Sequence, residues 1–187
     1  MSLSADMGLS LWLVPSPSEF ERLQPVLDGL AKHGNGPSFQ PHVTLASVPI
    51  LTPLPFPPLG FDQNSPMILR FLKLQTGESY FQSVLIAIDP SPELGDLHDS
   101  VRQILNRPLP RGGSYFPHLS LFYGGDQELE VSLVRRLHDQ GIVVPQEDGP
   151  GDIVAGISEI HVEDIWLVLV SLIEKLPIIS YQTYTKY

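Results

Sequence analysis

The chain contains no cysteine, which removes disulfides, thiolate nucleophiles and cysteine-ligated zinc from consideration. That absence fits a reducing compartment. Positive charge is scarce as well, with 11 Lys and Arg against 21 Asp and Glu and a formal net charge of −10 at pH 7. No run of Lys or Arg longer than the pair Arg135-Arg136 occurs. Proteins that grip long RNA or DNA carry a basic stripe, because phosphate contacts dominate that affinity. Any phosphate ligand is therefore expected to be a small nucleotide and not a long nucleic acid. Long apolar runs are also missing. Residues 9–14 and 165–173 are each apolar but for one serine, and both are far too short to cross a bilayer as helices. The first also lacks the basic leader and small-residue cleavage site of a signal peptide, and residues 1–6 ahead of Met7 read as a leader without structural weight. A cytoplasmic monomer with no membrane partner is the expectation.

What is present is ordinary globular material: 187 residues, 42% apolar and 17% charged. That is enough to bury a core, as one domain over 1–187 or as two tightly fused lobes. Along the chain, residues 9–14 predict a buried strand ending at Pro15. Ser18 predicts a helix N-cap, with Glu19 and Glu21 in the first turn and Phe20, Leu23, Val26, Leu27 and Leu30 at helical spacing. Pro25 falls inside that helix, and Gly34-Asn35-Gly36 closes it. Residues 41–48 predict a strand, 49–66 a proline-rich excursion, and 67–75 and 81–88 an antiparallel hairpin. Ser91 caps a second helix that Pro92 opens and 106–108 ends. Residues 115–123 predict another strand, 128–140 a third helix, and 153–161 and 165–173 two closing strands, the second apolar enough to lie mid-sheet. The order predicts an α+β fold with helices outside and antiparallel sheets lining a central cleft.

One five-residue frame occurs twice. Pro41-His42-Val43-Thr44-Leu45 returns as Pro117-His118-Leu119-Ser120-Leu121, its histidines 76 positions apart, so each half of the chain owns one. On a strand, side chains alternate faces, so each copy presents an imidazole and a hydroxyl on one face, roughly 6–7 Å apart, and sends its apolar residues into a core. Imidazole gives and takes protons near neutrality. Two of them flanking a phosphate can serve an in-line displacement, one drawing a proton from water and the other protonating the departing oxygen. Thr44 and Ser120 can donate hydrogen bonds to the non-bridging oxygens. Neither a metal nor a covalent nucleophile nor any other cofactor is required. Such a set suits a cyclic phosphodiester, whose leaving oxygen stays attached to the product. The repeat leaves the two proton-transfer roles open; the working assignment makes His118 the base and His42 the acid.

The paired His-x-Thr/Ser motif, each copy on a strand, resembles the two-histidine phosphoesterase superfamily. Within it, the PHVTLAS and PHLSLFYG wording is similar to the small cyclic nucleotide phosphodiesterases of fungi and plants. The resemblance covers most of the chain and implies a bilobal fold. It implies opening of ADP-ribose 1″,2″-cyclic phosphate, a product of tRNA splicing, to ADP-ribose 1″-phosphate, and of nucleoside 2′,3′-cyclic phosphates to 2′-phosphates. It also implies His42 and His118 as the catalytic pair, Thr44 and Ser120 as phosphate ligands, and Tyr123 as a ligand-facing aromatic. Ser120 stands where many relatives carry Thr, which keeps the hydroxyl. Two rival readings are an RNA-end-processing enzyme like the bacterial 2′-5′ RNA ligases and a nucleotide-binding module without turnover.

The remaining features read as structural. His33, His98, His138 and His161 are expected at the surface or rim, and their spacing forms no metal-ligand motif. Gly112-Gly113 lacks the frame of a phosphate-binding loop and reads as a turn. Arg70, Lys73, Arg107 and Arg111 are candidates to balance substrate phosphates. Phe39, Tyr80, Phe81, Tyr115 and Phe116 are candidates to stack a base, with core packing as the alternative role.

Overall fold

The computed structural model describes residues 6–48, 66–105, 115–173 and 176–184. The proline-rich excursion at 49–66, apart from Pro66, lies outside them. So do the 106–108 helix end, Arg107, Arg111 and Gly112-Gly113. The strands are β1 (Asp6–Pro15), β2 (Val43–Val48), β3 (Met67–Thr76), β4 (Val84–Ile88), β5 (His118–Phe122), β6 (Val143–Pro145), β7 (Asp152–Val154), β8 (Glu159–Ile173) and β9 (Leu176–Tyr184). The helices are α1 (Pro17–Gly34), α2 (Pro92–Ile104) and α3 (Gln127–Asp139).

Seven strands form a sheet in the order β1-β2-β5-β4-β3-β8-β9, and β8 pairs with β1 as well. Six of them therefore close a ring in which every pairing is antiparallel. The α+β class and the helices packed outside the strands agree with expectation. The two halves share one sheet, because β8 is long enough to pair with β3 at Glu159–Val162 and with β1 along most of its length. Residues 153–161 and 165–173 are accordingly not two neighbouring strands. Among the described residues β7 pairs with β6 in a separate two-stranded sheet, and Ala155-Gly156 turn the chain with φ of 50° and 76° before β8 begins. Two consecutive left-handed residues make the tight hairpin turn that Asn-Gly usually signals, and an alanine in the first position hides it.

Alternation along the strands sorts the two faces. Leu11 and Leu13, Val43 and Leu45, and Leu119 and Leu121 are each at most 1% exposed and join one core with Leu23, Leu27 and Leu30 of α1 and Leu133 and Leu137 of α3. Each such side chain stabilises the fold by roughly 1.5–3 kcal/mol relative to exposure. The intervening residues face the opposite way. Helix α1 starts earlier than its pattern suggests: the N-cap is Ser16, and Pro17 occupies the first turn. Glu19 folds back so that its Oε2 accepts from Ser16 N–H at 3.1 Å and from Ser16 Oγ–H at 2.8 Å. Both arrangements satisfy groups that the helix itself leaves unpaired.

The same carboxylate ties α1 to β8. Glu19 Oε2 accepts the backbone N–H of His161 at 2.9 Å, and Glu19 Oε1 lies 2.6 Å from His161 Nδ1. The hydrogen bond to Glu19 holds the His161 imidazole above its usual pKa, against partial desolvation and with help from the charges of Glu19, Glu159 and Glu163. A raised folded pKa stabilises fully below the unfolded value of about 6.5 and fades as pH rises through the folded value. Partial exposure of the ring keeps the effect modest. The melting temperature of the wild type should therefore exceed that of His161→Gln most at about pH 6, with the gap closing toward about pH 9. A gap independent of pH would contradict this pairing.

Candidate active site

Strands β2 and β5 lie side by side with Val43 opposite Leu119. Continuing that antiparallel register one residue each way sets His42 across from Ser120 and Thr44 across from His118. The four polar residues thus form a square in which each imidazole faces the other motif's hydroxyl. Directly opposed side chains lie about 4.5–5.5 Å apart and diagonal ones roughly 7–8 Å, so the imidazoles occupy the longer diagonal. Neighbouring strands extend this floor: Trp12 pairs with Thr44, Ala87 with His118 and Leu85 with Ser120. The prolines explain where the two strands begin. Pro41 and Pro117 have no N–H for the ladder, so each histidine sits at the strand entrance.

Both imidazoles are anchored the same way. His42 Nδ1 lies 2.7 Å from the Gln40 carbonyl, and His118 Nδ1 lies 2.8 Å from the Phe116 carbonyl. A carbonyl only accepts, so Nδ1 carries the proton in each ring and donates it two residues back. Each Nε2 is left with its lone pair. The surroundings then differ. His42 is 4% exposed, stacks face to face on Trp12 with centroids 3.4 Å apart, and meets the edge of Phe39 at 6.2 Å. Burial pushes its pKa down to about 3, against the Gln40 hydrogen bond and with a further contribution from His118. His118 is half-buried beside Phe116. Burial lowers its pKa also, and the Phe116 carbonyl opposes the shift.

The hydroxyls differ too. Thr44 is half-buried, whereas Ser120 is 5% exposed and donates to the Phe81 carbonyl at 2.9 Å. Ser120 must turn its proton away from Phe81 to serve a phosphate. Motif parity is as expected, but only the Thr44 and His118 side of the face is partly open, because Trp12 covers His42 and the Phe81 carbonyl meets Ser120. Tyr123 is 6% exposed and stacks on Phe39 at 3.9 Å, with Phe81 edge-on at 5.3 Å. It belongs to the aromatic wall that reaches His42 through Phe39.

Among the cations, Arg70 is exposed on the face opposite Leu69 and Phe71, 3.6 Å from Glu159. Lys73 is held by Asp152 at 2.9 Å. Among the described residues no group of three or more His, Asp or Glu converges as a metal-ligand set. His33 and His138 are exposed and His161 half-buried, in line with a surface or rim position. His98 is not at the surface. It is 6% exposed and stacks on Tyr115 at 4.0 Å, because its place between Leu97 and Val101 turns it toward the core. Of the candidate stacking rings, Phe81 and Phe116 remain exposed. Sequence reasoning missed Trp12. The apolar run of β1 concealed its outward parity, and no local signal shows that β1 would lie against the first motif.

These contacts predict a spectroscopic signature. Imidazole ¹⁵N shifts should show His42 and His118 in the Nδ1–H form, with His118 titrating below the usual 6.5 and His42 still neutral where His118 is half protonated. An Nε2–H form in either ring would contradict the anchoring.

The cyclic phosphodiesterase-like protein family profile matches residues 7–51 and 60–155 of this chain, a span containing both motifs. A cyclic phosphodiesterase of Arabidopsis thaliana is 26% identical over 117 residues, which is 61% of this chain and 64% of that relative. The chain therefore matches somewhat less than two thirds of the relative's length. With the profile covering well over half of the sequence and both His-x-Thr/Ser motifs meeting on one floor, the chain belongs to the cyclic phosphodiesterase-like protein family, among the two-histidine phosphoesterases.

Proposed function

We propose that residues 1–187 act as one bilobal, monomeric cytoplasmic unit that hydrolyses small cyclic phosphodiesters without a metal. The substrates in this reading are ADP-ribose 1″,2″-cyclic phosphate, opened to ADP-ribose 1″-phosphate in the metabolism of tRNA-splicing products, and nucleoside 2′,3′-cyclic phosphates, opened to 2′-phosphates. The observation that supports it most is the matched anchoring of His42 and His118 through Nδ1. It leaves two Nε2 atoms on either side of a position where two hydroxyls also meet. One imidazole takes a proton from water as the water oxygen attacks phosphorus. The other gives a proton to the ring oxygen whose bond to phosphorus breaks. Thr44 and Ser120 hold the non-bridging oxygens as charge shifts onto them, and Tyr123 backs the wall formed by Phe39 and Phe81.

The unequal burial of the two rings assigns the roles in this proposal. His42 resists protonation and serves as the neutral base. His118, nearer solvent, is the more readily protonated and serves as the acid, the reverse of the working assignment from the repeat. A bound phosphate anion raises both pKa values toward the working pH. A substrate whose leaving oxygen is replaced by sulfur departs without a proton, so it separates the roles. His118→Ala should regain most of its lost rate on that substrate, and His42→Ala should not. The opposite pattern would restore the working assignment.

Dependence on pH follows with its sign. In the free enzyme the acid must be protonated, and His118 loses its proton below the usual 6.5. The value of kcat/KM should accordingly fall as pH rises from about 5 to about 8, by close to tenfold per unit beyond that pKa. Turnover of a panel of cyclic phosphates should be unchanged by EDTA. Loss of activity in EDTA with recovery on adding a divalent metal would contradict the mechanism. Salt-sensitive binding of oligonucleotides would favour RNA-end processing, and nucleotide binding without turnover would favour a binding module.

A further inference from the structure

The two motif strands are joined by little ladder. Among the described residues Val43 and Leu119 are the one registered pair between β2 and β5. A side chain adds a second tie at that place. Tyr115 donates its hydroxyl to the Thr44 carbonyl at 3.0 Å. Thr44 belongs to the first motif, and Tyr115 lies three residues before His118, just ahead of the Phe116 carbonyl that anchors the His118 ring. The bond therefore runs from the segment that aims one imidazole to the backbone of the strand that carries the other. Tyr115 is itself braced from behind. His98 of α2 stacks on its ring with centroids 4.0 Å apart and planes 7° from parallel. Burial raises the pKa of Tyr115, so the phenol remains a donor at neutral pH, and burial lowers that of His98 against its hydrogen bond to Asp99.

We infer that Tyr115 is a positioning residue that sets the separation of His42 and His118 through its hydrogen bond to the Thr44 carbonyl. The inference rests on the two-imidazole reading of the site. It places Tyr115 outside the groups that touch substrate. A displacement of about 1 Å between reacting groups can lower a rate on the order of a hundredfold, so a single hydroxyl at this seam is able to matter more for rate than for stability.

Tyr115→Phe removes the hydroxyl and retains the ring that stacks on His98. On a nucleoside 2′,3′-cyclic phosphate, kcat should fall by about tenfold or more with KM changed less than about twofold, because alignment is lost and phosphate binding is not. The circular dichroism spectrum should be unchanged, and the variant should remain fully folded at the assay temperature. His98→Phe, which keeps a flat ring behind Tyr115 and leaves the hydroxyl in place, should retain most of the wild-type kcat. An unaltered kcat in Tyr115→Phe, or a loss accounted for by the unfolded fraction, would overturn the inference. Should the wild type hydrolyse no cyclic phosphodiester, the functional reading fails on its own. Imidazole NMR then decides the positioning claim: displaced His42 and His118 resonances in Tyr115→Phe support it, and unmoved resonances overturn it.

Discussion

The site depends on one contact in the sheet, the pairing of Val43 with Leu119. Both side chains are fully buried in the core, so apolar burial fixes the register of β2 against β5. Since side chains alternate, fixing Val43 and Leu119 inward fixes His42, Thr44, His118 and Ser120 outward. A slip of one residue in β2 would send His42 and Thr44 into the core and Val43 and Leu45 into the cleft, and a slip in β5 would do the same to His118 and Ser120. Hydrophobic packing on one face of the sheet thus dictates the polar arrangement on the other. The long β8 closes the ring behind this seam and holds the halves of the chain in one sheet.

On that shared frame, the two motifs are alike in what orients them and unlike in what surrounds them. A carbonyl two residues back fixes the tautomer of each imidazole, a local device that each repeat supplies for itself. Long-range packing supplies the difference. Trp12 of β1 covers one face of His42 and removes it from water, while His118 keeps access to solvent. Desolvation disfavours the charged imidazole in both rings, more strongly in His42. A repeated motif acquires two distinct proton affinities in this way without any change in its own residues, and the proposed division of labour between base and acid follows from that.

Much of this was legible in the sequence because it is local. The repeated Pro-His-x-hydroxyl-Leu frame, its strand parity, the cap at Ser91 with Pro92, and the hairpin of β3 and β4 all follow from short-range rules. The exceptions have physical causes. Ser16 displaced Ser18 as the cap of α1 because Glu19 reaches back to it, a geometry that both serines permit on paper. The turn at Ala155-Gly156 that ends β7 is hidden in the sequence because an alanine holds a conformation normally left to glycine or asparagine. His98 reads as a surface or rim residue on a helix face, whereas its position beside Leu97 and Val101 turns it onto Tyr115. Trp12 and Tyr115 belong to strands and segments whose partners lie far along the chain, so nothing in their own neighbourhood shows the histidine or the carbonyl they meet.

In the proposed function two imidazoles act together on one phosphorus with water as the nucleophile. Hydrolysis of a nucleoside 2′,3′-cyclic phosphate in ¹⁸O-labelled water, with the product read by phosphorus NMR, tests this. A single 2′-phosphate product bearing one ¹⁸O is expected for the wild type, with no product from folded His42→Ala or His118→Ala on the same timescale. Undiminished turnover in either variant, or a product phosphate without the label, would contradict it.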